Sequence, residues 1–118
     1  MTELTVRGIA SVCQEAVRAY SKAVGLHHES AWSLVIPEDR VFADRLIGTL
    51  LDKPAWMPYQ IHNEWCDRME ASGWKYGPEK NTENRTHPLL VEWSELTKQQ
   101  QCYWFLYRST VLSLSDAM

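Results

Sequence analysis

The apolar residues near the N-terminus follow a spacing that limits the fold of this chain more than any other feature does. From Val6 to Val24 they recur at steps of three and four residues, which places them on one face of an α-helix. Thr5 can accept a hydrogen bond at the start of such a helix, and Gly25 supplies the left-handed conformation that commonly ends one. The sequence therefore predicts an amphipathic helix with a face to bury, and hence a helical core.

Three further helices are predicted downstream of the first. Residues 37–51 begin with a proline and two acidic residues, which suit a first helical turn, and continue as an apolar helical pattern. Residues 59–72 and 98–114 form the third and fourth helices by the same criteria. Pro54 and Pro58 restrict the residues before them to extended conformations, so the connection between the second and third helices is predicted to be stiff.

The segment between the third and fourth helices carries the remaining regular structure. Residues 74–76 alternate like a short strand, a polar loop follows, and residues 89–91 are a second candidate strand. We therefore expect a mainly α fold, a compact helical domain with one or two short β-strands. Residues 1–57 would form an N-terminal helical pair packed on a repeat at residues 58–118, and the 118-residue chain would be a single compact domain overall.

Charge and cysteine content argue against several classes of partner and site. The formal net charge of −3 gives the chain no sequence-independent attraction to a nucleic-acid polymer or an anionic membrane. Cys13, Cys66 and Cys102 have no CxxC spacing, which argues against a disulfide framework and favours a reducing compartment. Because the sequence shows neither a secretion leader nor an apolar run of membrane-spanning length, we expect the cytoplasm, or the host cytoplasm for a phage-encoded protein.

Residues 61–96 contain the most specific pattern in the chain. It reads His-x-x-Trp from His62, then Gly-Trp-x-Tyr-Gly from Gly73, then His-Pro-x-Leu from His87, followed by an aromatic residue and a leucine. This order and spacing resemble the ryanodine-receptor repeat, the RyR domain, and residues 9–25 resemble the first helix of stand-alone phage and bacterial proteins that carry it. The resemblance implies a mostly helical unit without enzymatic activity. Such units occur in tandem pairs in calcium channels and singly in prokaryotic proteins, some from defence or nucleotide-signalling settings.

Two positions depart from the family pattern. Glu92 stands where the family usually has proline, and Trp104 stands where aspartate is common, which makes the last helix more apolar. Residues 103–107 are nearly all aromatic, and consecutive residues point all around a helix, so we expect part of this run to meet another chain. Because the channel repeats work in pairs, the resemblance implies a homodimer. The alternative is that the long N-terminal helix covers the run.

The rings and cations of the repeat make up the candidate binding site. Tryptophan and tyrosine rings can stack on a planar base, while lysine and arginine neutralise phosphate and histidine donates hydrogen bonds. The candidate ligand-binding residues are His62, Trp65, Trp74, Lys75, Tyr76, Lys80, Arg85, His87 and Trp93. An alternative stays open, in which the rings cover a small core, the charges lie on a solvated loop and the histidines are hydrogen-bonded within the fold.

Metal and catalytic sites have weaker support. His62 and Cys66 lie four residues apart, and His87 or the cluster at residues 27–29 would have to complete a metal site, so neither a metal nor a cofactor is predicted. The chain has no Gly-rich phosphate loop, nucleophile elbow or paired-carboxylate motif. We therefore do not expect an enzyme.

The leading hypothesis is a non-enzymatic binding protein of the RyR-domain type. The family setting implies a small nucleotide-like ligand, such as a cyclic nucleotide or an ADP-ribose-derived signal, which the protein would sense or sequester. A phage copy would thereby counter host defence. The alternative is a protein–protein interaction module without a small ligand, in which exposed aromatic residues dock the partner.

Overall fold

The part of the chain that the structure describes contains four α-helices. The computed structural model describes residues 4–118, so the first three residues of the predicted N-terminal pair lie outside the described residues. The helices are α1 (Val6–Val24), α2 (Pro37–Asp52), α3 (Pro58–Ala71) and α4 (Lys98–Ser115), which confirms the mainly α fold. None of them combines the length and the apolarity that a bilayer crossing requires.

Local hydrogen bonds at the helix ends explain why these boundaries follow the sequence. The Thr5 hydroxyl accepts a hydrogen bond from the Gly8 amide at 3.0 Å and begins α1. Gly25 ends α1 in the left-handed region, with φ at 76°. At the start of α4, Thr97 and Gln100 form a reciprocal capping box with bonds of 3.1 and 2.9 Å. Each cap joins near neighbours in the chain, so the residue pattern alone can indicate it.

Helix α4 lies at the centre of the fold and packs against each of the other three helices. Its Trp104 is almost completely buried, and the centre of its ring lies 5.3 Å from that of Trp65 on α3. Arg108 of α4 donates a 2.6 Å hydrogen bond to the Trp56 carbonyl, which ties the helix to the connection between α2 and α3. Because α4 contacts every other helix, the proposed boundary between an N-terminal pair and the repeat stays a prediction.

Most of the aromatic run on α4 is buried within the chain. Tyr103, Trp104 and Tyr107 are buried, and the Cys13 thiol of α1 donates to the Tyr107 carbonyl across 3.8 Å. Phe105 differs, since 50% of its surface is exposed. Helix α1 thus packs against part of the run, in line with the alternative interpretation, and Trp65 of α3 packs against Trp104. The homodimer stays a prediction, and Phe105 is the ring of this run that remains to support it.

Two short parallel strands pair at the two ends of the loop that follows α3. β1 (Lys75–Tyr76) confirms the first expected strand, and β2 (Thr86–His87) pairs with it residue for residue. The second strand thus lies earlier in the chain than the expected residues 89–91. The amide and the carbonyl of Leu89 are bonded to histidine side chains, so they are not free to join a ladder.

Polar and cation–π contacts hold the segment between α1 and α2 against the bundle. The segment forms a 3₁₀ turn at Trp32–Leu34, and the Arg40 guanidinium lies 4.9 Å from the centre of the Trp32 ring. The Trp32 amide donates a 3.3 Å hydrogen bond to the Glu15 carboxylate of α1. The same segment carries Glu29, which is buried.

Candidate functional site

The nine candidate residues do not line one cavity. They lie in three environments: rings and histidines packed against the core, an exposed ribbon, and the wall of a cleft. None of the four candidate rings lines the cleft beside Lys80 or the cleft between α3 and the segment that follows Leu90.

Trp65, Trp74 and Trp93 are half-buried rings that lie beside histidines. The ring centre of Trp65 is 4.8 Å from that of His87, and the ring centre of Trp93 is 5.8 Å from that of His62. Trp74 is 6.5 Å from His87. All three pairs are edge-to-face, which is a common packing arrangement of rings in cores. These indoles therefore contribute to the packing of the fold, and part of each remains exposed.

His62 and His87 are buried and hydrogen-bonded to a single residue. His62 Nε2 donates to the Leu89 carbonyl at 2.9 Å, and His87 Nδ1 accepts from the Leu89 amide at 3.1 Å. Burial lowers the pKa of His62. Burial, together with the electrostatic effect of His27, lowers the pKa of His87 to about 3. Both rings are therefore neutral at pH 7, and the bonds that they make hold the chain in place.

The β1–β2 ribbon presents the exposed members of the candidate set. Lys75 and Arg85 are exposed, and 56% of the surface of Tyr76 is exposed. Arg85 has a left-handed backbone with φ at 53°, and its guanidinium donates to the Ser72 carbonyl at the C-terminal end of α3. A positive charge is favoured at that end of a helix. The ribbon is thus an aromatic and cationic surface, and its exposed residues line neither cleft.

Lys80 lies at an open cleft of about 470 Å³ between the end of α1 and the loop after β1. We call this depression the Lys80 cleft. Its polar lining residues are His27, His28, Glu79, Lys80 and Gln100. Of the nine candidates, Lys80 lines this cleft, whose volume suits a small ligand.

Glu29 was not a candidate, yet it is the buried charge next to Lys80. Its carboxylate accepts hydrogen bonds from His27 Nε2 at 2.7 Å and from the Tyr103 hydroxyl at 2.8 Å. The Gln14 amide donates at 3.2 Å, and Lys80 Nζ lies 3.6 Å away. Burial alone would raise the pKa of this carboxyl, but these bonds and charges outweigh burial and lower the pKa far below its usual range. Glu29 is therefore a fixed negative charge at neutral pH.

The sequence held one signal for Glu29, which is its place in the polar cluster at residues 27–29. That signal did not identify the groups around the carboxylate. Tyr103 is 74 residues away along the chain, and Lys80 lies in the loop after β1. Local patterns indicate neither contact, so only the packing of α4 and this loop against the segment shows that Glu29 belongs to the site.

His27, Glu29 and His87 bring three atoms of the kind that bind metals within 4.8 Å of one another. The hydrogen bonds of these three residues do not suit a metal site. His87 is neutral and its Nδ1 accepts a hydrogen bond from the Leu89 amide, so its proton is on Nε2. Neither nitrogen is then left to bind a metal, since a metal-bound histidine ligates through one nitrogen and donates a hydrogen bond from the other. Glu29 already accepts from several donors, and the ammonium of Lys80 would repel a cation. We interpret the cluster as a hydrogen-bonded network.

The pair His62 and Cys66 is equally unsuited to metal binding or nucleophilic chemistry. The Cys66 sulfur lies 3.4 Å from His62 Nε2, but that nitrogen donates to the Leu89 carbonyl. Burial raises the pKa of the Cys66 thiol to about 12, helped by nearby acidic residues. The thiolate that binds metals and attacks substrates is therefore scarce at neutral pH.

A second cleft, of about 550 Å³, lies between α3 and the segment that follows Leu90. Its charged lining residues are Asp67, Glu70, Glu92 and Glu95. It contains none of the nine candidates, and its field would repel an anionic ligand. The Lys80 cleft is therefore the better candidate for a nucleotide-like molecule.

Comparison with known families gives one match. The model of the RyR domain matches residues 51–114, which is more than half of the 118-residue chain. The matched range contains α3, both strands and nearly all of α4. Lys80 and the ribbon lie inside this range, whereas Glu29 lies outside it. No solved structure matches the chain.

Proposed function

This chain belongs to the RyR domain family, and on that premise we propose that it is a non-enzymatic binding protein for a small nucleotide-like ligand. We locate the ligand in the Lys80 cleft. The ligand would be a cyclic nucleotide or an ADP-ribose-derived signal, which the protein senses or sequesters in the cytoplasm. In a phage, sequestration would keep such a signal from activating host defence.

The observation that carries this proposal is the mixed polar lining of a cleft of suitable size. At about 470 Å³ the Lys80 cleft falls within the range of small-molecule sites. Lys80 and His28 can donate to phosphate oxygens, whereas the Glu79 carboxylate can accept from ribose hydroxyls or a base amine. Gln100 uses its side-chain oxygen in the α4 capping box, so its NH₂ group remains as a donor. A nucleotide needs both kinds of partner.

The state of the reactive side chains supports binding without turnover. The thiol beside His62 is held protonated by burial, and the imidazole of His87 makes its bond to the backbone of the chain. His27 lines the cleft, but its Nε2 is bonded to Glu29. We therefore expect a bound ligand to be released intact.

The test is a thermal-shift assay of the protein against a nucleotide panel, with mass spectrometry of molecules released by heating. A ligand present at about 100 times its Kd stabilises the native state by about 2.7 kcal/mol, which is readily measured. Lys80→Ala is expected to abolish the shift. Lys75→Ala removes an exposed lysine outside the cleft and is expected to retain it. If no nucleotide shifts the wild type, or if both variants behave alike, the proposal is wrong.

A second candidate function is protein–protein interaction through the ribbon. The observation that favours it is the exposure of Tyr76 on the same ribbon as the exposed cations Lys75 and Arg85, because tyrosine and arginine are frequent energetic centres of interfaces. Tyr76→Ala is expected to abolish co-purification of a partner, whereas Tyr59→Ala, which removes an exposed tyrosine on α3, leaves it unchanged. Equal recovery with the two variants would exclude the ribbon as the docking surface.

The homodimer is part of the proposal and depends on Phe105. This ring is half exposed on α4, and its centre lies 6.4 Å from that of Trp93. Burial of both rings against a second copy would stabilise a symmetric dimer. Light scattering after size exclusion is expected to show a dimer for the wild type and a monomer for Phe105→Ser. A monomeric wild type would remove the homodimer from the proposal.

A further inference from the structure

The cation of the proposed site already has an anionic neighbour inside the protein. Lys80 Nζ lies 3.6 Å from Glu29 Oε2, and the lysine side chain is only 25% exposed. The two residues come from different parts of the chain, since Lys80 is in the loop after β1 and Glu29 lies between α1 and α2. Their ion pair therefore joins that loop to the segment between α1 and α2.

Glu29 cannot move away from this contact easily. One carboxylate oxygen accepts from both His27 and Tyr103, and the other accepts from Gln14. Three donors on three different parts of the fold fix the orientation of the carboxylate. The flexible partner of the ion pair is Lys80, whose four-carbon side chain has several rotatable bonds.

We propose that Glu29 is a positioning residue that holds Lys80 as a latch, and that the anionic group of the ligand binds by taking Lys80 from Glu29. This inference rests on the proposed function of the Lys80 cleft. It identifies a component of the site that lies outside the segment matched by the family model.

The exchange favours one chemical class of ligand. A phosphodiester carries one negative charge, as Glu29 does, so Lys80 gains little attraction by changing partners. A terminal phosphate monoester carries close to two charges above its second pKa and attracts Lys80 more strongly. Glu29 thereby narrows the ligand class proposed above: the cleft selects an ADP-ribose-derived signal that ends in a phosphate monoester over a cyclic nucleotide, whose phosphate is a diester.

The latch has a test that needs no ligand. Lysine acetylation by an N-hydroxysuccinimide ester, followed by mass spectrometry, is expected to modify Lys80 more slowly than the exposed Lys75. Glu29→Gln should raise the Lys80 rate severalfold and leave the Lys75 rate unchanged. Tyr103→Phe, which removes a donor to Glu29 but keeps the charge, should leave Lys80 protected. Equal Lys80 rates in the wild type and Glu29→Gln would overturn the latch.

The exchange is tested by NMR titration with inorganic phosphate and with dimethyl phosphate at pH 8. We expect the wild type to bind phosphate at least tenfold more tightly than dimethyl phosphate, with the largest shifts at Lys80. Glu29→Gln should bind dimethyl phosphate more tightly and reduce that preference at least threefold. If Glu29→Gln does not fold, Glu29→Asp serves in its place. Its shorter side chain withdraws the carboxylate from Lys80 and should also reduce the preference for phosphate over dimethyl phosphate.

The possible failures can be told apart. If the wild type binds a nucleotide or phosphate but Glu29→Gln keeps the same preference, the exchange is wrong and the proposed function stands. If neither the wild type nor the variant binds any anion, the proposed function is wrong and the exchange fails with it. In that case the acetylation rates still decide whether Glu29 holds Lys80.

Discussion

His62 and His87 bond to the two backbone groups of the same residue. His62 donates to the carbonyl of Leu89, and His87 accepts from its amide, at 2.9 and 3.1 Å. Leu89 itself is fully buried. The two histidines therefore supply, inside the core, the hydrogen bonds that a strand partner would otherwise provide for this segment.

Loss of the His62 side chain should strongly destabilise the protein. His62→Ala removes the side-chain hydrogen bond to the buried Leu89 carbonyl, which keeps the bond from the Val91 amide, and it opens a cavity beside Trp104. We therefore expect a loss of about 3 kcal/mol in the free energy of unfolding. Urea denaturation measures it. His28→Ala, at an exposed position, should change stability by less than about 0.5 kcal/mol. Similar losses in the two variants would contradict the role of His62.

Stability should fall in mild acid because both histidines are neutral in the folded state. The pKa of His87 drops from 6.5 to about 3 on folding, and that of His62 is also lowered. Between those values the unfolded chain binds more protons than the native protein, so the free energy of unfolding rises as the pH increases from about 3 to 6.5. Above pH 6.5 the contribution of these histidines to stability is fully present. The expected slope is at most about 1.4 kcal/mol per pH unit for each group.

Urea denaturation between pH 4.5 and 7.5 checks this dependence. The matched variant is His87→Asn, whose side-chain oxygen can still accept from the Leu89 amide but does not titrate. Its slope should be smaller than that of the wild type. A wild-type stability that stays constant across this range would show that the histidines are not held neutral by burial.

The hydroxyl of Tyr103 should stabilise the fold through Glu29. It donates a 2.8 Å bond to this buried carboxylate, and hydrogen bonds to charged groups are stronger than neutral ones. We expect Tyr103→Phe to lower the free energy of unfolding by about 2 kcal/mol. Tyr107→Phe is the matched control, because this buried tyrosine has no side-chain hydrogen bond recorded among residues 4–118, and it should cost less. Equal denaturation midpoints for the two variants would contradict this prediction.

Two glycines should respond to alanine in opposite directions. A Cβ at Gly77 would lie 2.5 Å from the Cβ of Thr86 in the facing strand, so Gly77→Ala should push the ribbon apart and destabilise the protein by about 2 kcal/mol. Gly48 lies inside α2 with open space around it, so Gly48→Ala should stabilise by about 0.5–1 kcal/mol. Calorimetry measures both changes. A change in melting temperature of the same sign in both variants would contradict the prediction that the two glycines differ in the space around them.

The three thiols should differ in reactivity. Cys13 is buried and Cys66 partly buried, and burial raises the pKa of each thiol, whereas Cys102 is exposed. A chromogenic disulfide reagent at pH 8 should react quickly with one equivalent, which peptide mapping assigns to Cys102. Cys102→Ser should remove this fast phase. Rapid reaction at Cys66 would contradict its partial burial beside His62.

The predicted aromatic and cationic ligand contacts do not line one cavity, and individual side chains show the reason. The sequence predicts both Trp65 and His87 as ligand contacts, but their ring centres lie 4.8 Å apart because a small core uses its largest rings for its own burial. Arg85 is predicted to neutralise phosphate, whereas its guanidinium bonds to the end of α3. Residue type indicates what a side chain can do, whereas packing decides what it is free to do.

The sequence by itself determined the helices, their caps and the family. A cap such as Thr5 with Gly8, and an apolar repeat such as that of α1, involve near neighbours, so the chain encodes them locally. Tertiary structure alone decided that Lys80 meets Glu29 at 3.6 Å and that Tyr103 reaches the same carboxylate. Those contacts form only when distant segments pack together, and because they outweigh the effect of burial on the pKa of Glu29, packing also determines the charge that the proposed site presents.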